Sequence, residues 1–333
     1  MDLIAKVTEK CNFACKFCSS TSIGKKDLSV EDIAKVLAVY DGDVSNIIMN
    51  GGDPLLVSPD LYWKLIDFIE KNDYDTRISI TSNLWDFFWK PEKWTALFKH
   101  PRVGVITSFQ YGDGRRLGSG VLFTEDLFRG VSDLFLDRVG YRPDFISVID
   151  HNNSALAIRN VELAKELDVE CKLNYAMITG RQKTVFPVGE ISYIYSEIYN
   201  KDLHPWEYNT KQFLKVLKNE PTTCPILPNC DSSIRCLQPN GYFTCGSFGD
   251  DNLYSIRLSD DINKKQTPLR KDPNLICLKE ECLTCDCYKV CHGCKKHIHD
   301  LKECGDRLIN LNCTFMKNAY ARFIELINEK KSS

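Results

Sequence analysis

The chain has 333 residues, 43% of them hydrophobic, enough to bury a full core and to divide into one large and one smaller unit. Its 43 Lys and Arg nearly cancel its 45 Asp and Glu, so no field of one sign argues for a nucleic acid or a membrane surface as the main partner. Sixteen cysteines would suit a secreted disulfide scaffold, but those scaffolds are short and core-poor, the N-terminus lacks a signal-peptide pattern, and no apolar run reaches the length of a membrane span. The expectation is a cytoplasmic protein whose clustered thiols bind metal.

From residue 1 to about 200, short β-branched runs alternate with helical patterns, the signature of parallel strands joined by crossover helices. Six strands are predicted, over Leu3–Thr8, Asn46–Asn50, Arg77–Thr81, Val103–Ser108, Phe145–Ile149 and Cys171–Ala176. Ser29 with Asp32 reads as a capping box, Ser58-Pro59 as an N-cap with Pro in the first turn, and Ser154 as another N-cap. Six such units fit an α/β fold, a partial (β/α)6 TIM-like barrel, with its chemistry on the loops at the C-terminal strand ends.

Directly after the first strand stand Cys11, Cys15 and Cys18, spaced C-x3-C-x2-C. Three thiolates on one loop can hold three irons of a [4Fe–4S] cube where a closed cluster takes four, which leaves one iron open. A zinc knuckle is the alternative, but zinc needs a fourth ligand and no His or Cys lies between Ser19 and His100. The next strand ends carry Gly51-Gly52-Asp53-Pro54, Thr81-Ser82-Asn83 and Thr107-Ser108-Phe109-Gln110. Behind the fourth, Tyr111 to Gly120 concentrates glycines around Arg115 and Arg116, either as a solvated loop or as a fork for a carboxylate or phosphate. The fifth strand ends in Asp150-His151-Asn152-Asn153, where Asp150 or His151 can accept a proton, or where the asparagines merely end the strand and Asp150 pairs with an Arg.

Near Asn200 to Trp206 the pattern breaks, so the barrel is expected over 1–205 and a cysteine-rich, loop-dominated unit over 206–333. Its thiols run Cys224-x5-Cys230-x14-Cys245, then Cys282-x2-Cys285-x5-Cys291-x2-Cys294, then Cys313. A last amphipathic helix is predicted over Phe315–Glu329, with Phe315, Ala319, Phe323 and Ile327 at helical spacing, closing this unit against the barrel. Spacing alone leaves a pair of zinc ribbons open as the alternative.

The three-cysteine loop resembles that of the radical S-adenosylmethionine (SAM) superfamily, and the tail resembles its SPASM extension, especially the two-cluster arrangement of anaerobic sulfatase-maturing enzymes and peptide maturases. The resemblance implies that Cys11, Cys15 and Cys18 hold a [4Fe–4S] cluster whose open iron chelates SAM, and that reductive cleavage yields a 5′-deoxyadenosyl radical. It places Phe17, Gly51, Gly52, Asp53, Pro54, Ser82, Asn83, Ser108 and Gln110 around SAM, with Asp53 where the family's GGEP motif has Glu. Tyr175 would carry an electron or pack against adenine. Two auxiliary [4Fe–4S] clusters would be held by Cys224, Cys230, Cys245 and Cys294, and by Cys282, Cys285, Cys291 and Cys313. The last gap is two residues where the family usually has three, Cys304 is an alternative to Cys313, and Cys236, Cys277 and Cys287 are surplus to the eight ligands.

The implied activity is a net oxidative modification or crosslinking of a peptide or protein side chain, fed by a flavodoxin- or ferredoxin-like donor. A second reading is a dehydrogenase, decarboxylase or epimerase of a small molecule, and a third is a non-catalytic electron carrier. Sulfatase-maturing enzymes carry Asp directly after the third cysteine of the first auxiliary set, where this chain has Gly246, which argues against formylglycine formation. Only ten residues precede Cys11, so a peptide leader is expected to be read by barrel loops, by another protein, or not at all.

Overall fold

The computed structural model describes residues 1–21, 23–226, 230, 233–246, 255–258 and 277–332. Six strands, β1 (Asp2–Thr8), β2 (Asn46–Gly51), β3 (Arg77–Thr81), β4 (Val103–Ser108), β5 (Asp144–Ile149) and β6 (Cys171–Tyr175), pair in parallel in chain order, each within a residue or so of its predicted bounds. On the other side of β1 lies β7 (Ile234–Gln238), also parallel, followed by the antiparallel β8 (Gly241–Phe243). This is an open, partial barrel extended by two strands from the cysteine-rich stretch.

Helices α1 (Val30–Tyr40), α2 (Pro59–Lys71), α3 (Trp85–Trp89), α4 (Pro91–Phe98), α5 (Glu125–Val139), α6 (Ala157–Leu167), α7 (Val188–Asn200) and α8 (Tyr208–Leu217) cover the sheet. Side chains alternate along a strand, so Leu3, Ala5 and Val7 enter the core under the helices while Ile4, Lys6 and Thr8 take the opposite, inner face. The register carries that face across the sheet, aligning Lys6 with Asn50 and Val148 with Asn174.

The local signals act as physics requires at two of three starts. The Ser29/Asp32 box caps α1, and Ser58 caps α2 with Pro59 at its first position. Ser154 instead opens a short 3-10 turn, and α6 starts at Ala157 without a side-chain cap. The competing event is Asn153, whose amide closes the strand end by accepting from Asp150 N at 2.8 Å and donating to Val148 O at 2.9 Å.

Glu207 ties α8 to β6: its carboxylate accepts from Leu173 N at 2.9 Å and from Asn209 N at the helix start. Among the described residues three further helices follow, α9 (Tyr288–Cys291), α10 (Lys295–Cys304) and α11 (Asp306–Ser332). The last is longer than predicted, since its buried stripe begins at Ile309 and passes through Asn312 before Met316, Ala319, Phe323 and Leu326. Asn312 is fully buried because its side-chain carbonyl accepts from Gly189 N at 3.0 Å, joining α11 to α7 where a Cβ on Gly189 would collide with Met316 N at 2.6 Å. Among the described residues no helix is long and apolar enough to cross a membrane.

Candidate active site

The loop after β1 is held by backbone bonds on both flanks. Ala14 N donates to Arg116 O, Lys16 N to Gly114 O and Gly118 N to Asn12 O, at 2.7 to 2.9 Å, so the loop Gly114–Gly118 runs beside the cysteine loop. On the other flank Arg181 donates to Cys18 O through its backbone N and to Cys15 O through its guanidinium. Gly51 and Gly52 act on the same loop. Gly51 has φ +125°, and a Cβ on Gly52 would stand 2.6 Å from Glu9 O, so these glycines admit the backbone just ahead of Cys11 rather than merely opening space for a ligand.

Asp53 completes the anchor. Its buried carboxylate accepts from Leu55 N at 2.9 Å, Ser82 Oγ at 2.8 Å and Asn83 N at 3.0 Å, and burial raises its pKa to about 6 against those bonds. Asn83 in turn donates to Asn12 Oδ1 at 2.7 Å. Asp53, Ser82 and Asn83 thus form one polar chain from β2 and β3 to the cysteine loop. Pro54 follows in the first position of a 3-10 turn.

Cys11, Cys15 and Cys18 are free thiols. Burial is the main cause that pushes Cys11 up to about 12, followed by the charges of Asp53, Cys15 and Cys18; burial likewise raises Cys18. Burial lowers the pKa of Arg115, and the thiolate forms of Cys15, Cys11 and Cys18 support its charge. Arg115 is only 5% exposed, which corrects the solvated-loop reading for this residue, while Arg116 stays partly exposed on an ion pair with Asp113. The guanidinium donates to Ser108 Oγ at 2.8 Å and Gln110 Oε1 at 3.0 Å and lies over the Phe17 ring at 5.3 Å.

Arg115 makes no ion pair among the described residues, and Arg115 Nε and Gln110 Nε2 are buried without hydrogen-bond partners. Unmet donors around a cation beside three free thiols are what a bound iron–sulfur cluster with an anionic ligand would satisfy. The residues present therefore fit both the cluster and a carboxylate-bearing cofactor.

The proposed proton acceptors, Asp150 and His151, each have a backbone partner near the end of β5. Asp150 Oδ1 accepts from Asn152 N at 2.8 Å, closing its own turn. His151 reaches Val185 O at 3.2 Å and packs its ring on Phe186. Tyr175 is buried next to Cys294, with its ring 5.1 Å from that of His297, so it belongs to the second thiol region.

That region holds two sets. Burial raises the Cys224 thiol, and the charges of Cys294, Cys245 and Cys230 act on it in the same direction, so these thiols lie in one region. Two lysines on the inner barrel face clamp this set: Lys6 Nζ donates to Gly246 O at 2.6 Å and Lys172 Nζ to Cys224 O at 3.1 Å. The second set, Cys282, Cys285, Cys291 and Cys313, lines one open cavity together with Cys287. Cys277 lies against Cys282, Cys236 faces Lys6 and Cys245, and Cys304 stands apart beside Asp300 and Glu303. Among the described residues no three Cys, His, Asp or Glu side chains converge on a single ion position. In a cube each thiolate binds its own iron, so a shared cavity is the relevant test.

Sequence reasoning missed Lys6, 4% exposed inside an apolar strand, and His297, which is fully buried and accepts from Val188 N at 3.1 Å. A lone Lys within Leu3–Val7 was the available signal for the first. Nothing in the local sequence distinguishes His297 from His299 two residues on.

No curated protein matches the chain. Among solved structures, it is similar to histidine-tagged anSMEcpe with bound AdoMet, at TM-score 0.76 and 15% identity over 98% of this chain and 97% of that one. It is similar to native anSMEcpe with bound AdoMet and Cp18Cys peptide at TM-score 0.68 and 14% identity, over 94% and 98% of the two chains. It also resembles Streptococcus suis SuiB bound to precursor peptide SuiA, at TM-score 0.56 and 15% identity over 88% of this chain and 71% of that one. At these identities the likeness shows the fold. The family model of the radical SAM superfamily matches residues 5–183, from β1 through the loop behind β6, and the chain belongs to that superfamily.

Proposed function

We propose that this chain oxidatively modifies or crosslinks a peptide or protein side chain, with radical generation in the barrel of residues 1–205 and electron acceptance in residues 206–333. The observation that carries the reading is the free three-thiol loop beside the buried Arg115, supported by the cavity that Cys282, Cys285, Cys287, Cys291 and Cys313 line. A three-thiolate cluster supplies reductive cleavage of SAM and a carbon radical that takes hydrogen from substrate. Arg115, Gln110 and Ser108 hold the cofactor's carboxylate, Phe17 packs beside it, and the Asp53 chain fixes the cysteine loop. Cys224, Cys230, Cys245 and Cys294, with Cys282, Cys285, Cys291 and Cys313, hold the two auxiliary clusters. Tyr175, next to Cys294, stands on the electron's way out.

The peptide class draws support from the peptides named in the solved complexes of anSMEcpe and SuiB. Gly246, with Lys6 on its carbonyl, separates this site from formylglycine formation. A flavodoxin- or ferredoxin-like donor would supply the reducing electron. The test is anaerobic incubation of the reconstituted protein with SAM, reductant and candidate substrates. The reading expects a peptide product lacking two hydrogens, formed in step with 5′-deoxyadenosine. Turnover of a sugar or nucleotide with no peptide product would replace it with the small-molecule reading.

A further inference from the structure

The four residues Cys291-His292-Gly293-Cys294 bridge the two thiol sets, with Cys291 lining the cavity of Cys282, Cys285, Cys287 and Cys313 and Cys294 beside Tyr175. A Cβ on Gly293 would stand 2.8 Å from Ile226 O, so the bridge is pressed against the backbone of Ile226. The His292 ring is stacked on Tyr288, with centroids 4.4 Å apart and planes at 22°. It lines the same cavity as the five thiols, and its ring nitrogens are shielded from solvent with no hydrogen bond of good geometry, the Tyr288 carbonyl being within reach but already taken by His292 N at 2.9 Å.

A neutral imidazole carries one N–H donor, and leaving it unmet costs free energy. Five thiols already exceed the four that a cube needs, so iron does not require the ring as a ligand. The wall of this cavity also aims other N–H groups at sulfur: Lys279 N lies 3.2 Å from Cys282 Sγ and Asn312 Nδ2 3.6 Å from Cys291 Sγ. We propose that His292 is a positioning residue whose ring N–H donates to the sulfur of the cluster held by Cys282, Cys285, Cys291 and Cys313, raising that cluster's reduction potential. The direction follows from charge: the reduced cluster is one electron more negative, and a donor to its sulfur favours it.

The inference rests on the auxiliary-cluster reading and is tested apart from it. In full-length protein carrying Cys11→Ala, Cys15→Ala and Cys18→Ala, only the auxiliary clusters remain, and about eight irons per chain are expected. Potentiometric titration followed by electron paramagnetic resonance then compares His292, His292→Phe and His292→Gln in that background. The proposal expects His292→Phe to lower one of the two midpoints and leave the other in place, with His292→Gln, which keeps an N–H, recovering most of the shift. With about eight irons present and unmoved midpoints in His292→Phe, the assignment falls and the cluster reading stands. Loss of about four irons in His292→Phe makes the ring an iron ligand and overturns the donor role. Zinc in place of iron in the parent overturns both.

Discussion

Arg115 concentrates the argument at the scale of single residues. A buried guanidinium with two side-chain acceptors and no carboxylate is costly unless something anionic completes it, and its neighbours are three thiols and the unmet amide of Gln110. Replacing it by Met keeps most of the volume and removes the fork. Bonds to charged groups contribute about 1.5–3 kcal/mol, so Arg115→Met should weaken SAM binding roughly ten- to hundredfold, as read by equilibrium binding to the reconstituted protein. An unchanged affinity would detach Arg115 from the cofactor. The sequence placed this arginine on a suggestive loop and stopped there, because burial is decided by the cysteine loop that pairs with Gly114–Gly118 from a distant part of the chain.

Asp53 gives a pH signature. Burial raises its pKa from 3.8 to about 6, so between those values the folded chain holds this proton more tightly than the unfolded chain does. The contribution is fully present below the unfolded value and is lost as pH rises through about 6. Denaturation of the metal-free protein should show wild type losing stability relative to Asp53→Asn across this window, and parallel pH profiles would contradict the buried-carboxylate account. Gly52 makes a second, sharper prediction. With Glu9 O at 2.6 Å from any added Cβ, Gly52→Ala must displace the cysteine loop, and reconstituted iron should fall from about twelve to about eight per chain while the auxiliary sets load normally.

Secondary-structure elements were legible where a local signal coincides with packing. All six barrel strands carry their own β-branched pattern, and the Ser29 and Ser58 caps work as written. Ser154 lost to Asn153, a contest between neighbouring side chains that spacing does not settle. The start of α11 was hidden because Asn312 interrupts an apolar stripe, and the reason that amide is buried lies on α7. This helix is also where the fold is closed: Phe323 stacks on Phe213 with centroids 4.6 Å apart and is fully buried. Phe323→Ala should cost about 3–5 kcal/mol, read as a lower midpoint in chemical denaturation of the metal-free chain. A change within about 0.5 kcal/mol, as surface positions give, would mean that α11 docks without this contact.

Across the whole molecule, the cysteine spacings were the most informative part of the sequence, since a metal cluster demands ligand types that few other roles explain. Five of the tail's thiols line one cavity, with Cys313 rather than Cys304 among them, and Cys224 lies in the charge range of Cys230, Cys245 and Cys294. What spacing could not convey is how the tail joins the barrel. β7 hydrogen-bonds to β1, and Lys6 and Lys172 reach from the barrel's inner face to backbone carbonyls flanking the first set's thiols. The barrel's inner face and the region of Cys224 and Cys245 thus meet at Lys6 and Lys172.

The central claim is that Cys11, Cys15 and Cys18 leave one iron open for SAM. It is tested most directly by measuring 5′-deoxyadenosine after anaerobic reconstitution, reduction and addition of SAM, for the wild-type chain and for the variant with all three cysteines replaced by alanine. The account predicts the nucleoside from the wild type and none from the variant, although the variant retains about eight irons. A wild-type chain loaded with about twelve irons that leaves SAM intact on reduction would contradict it.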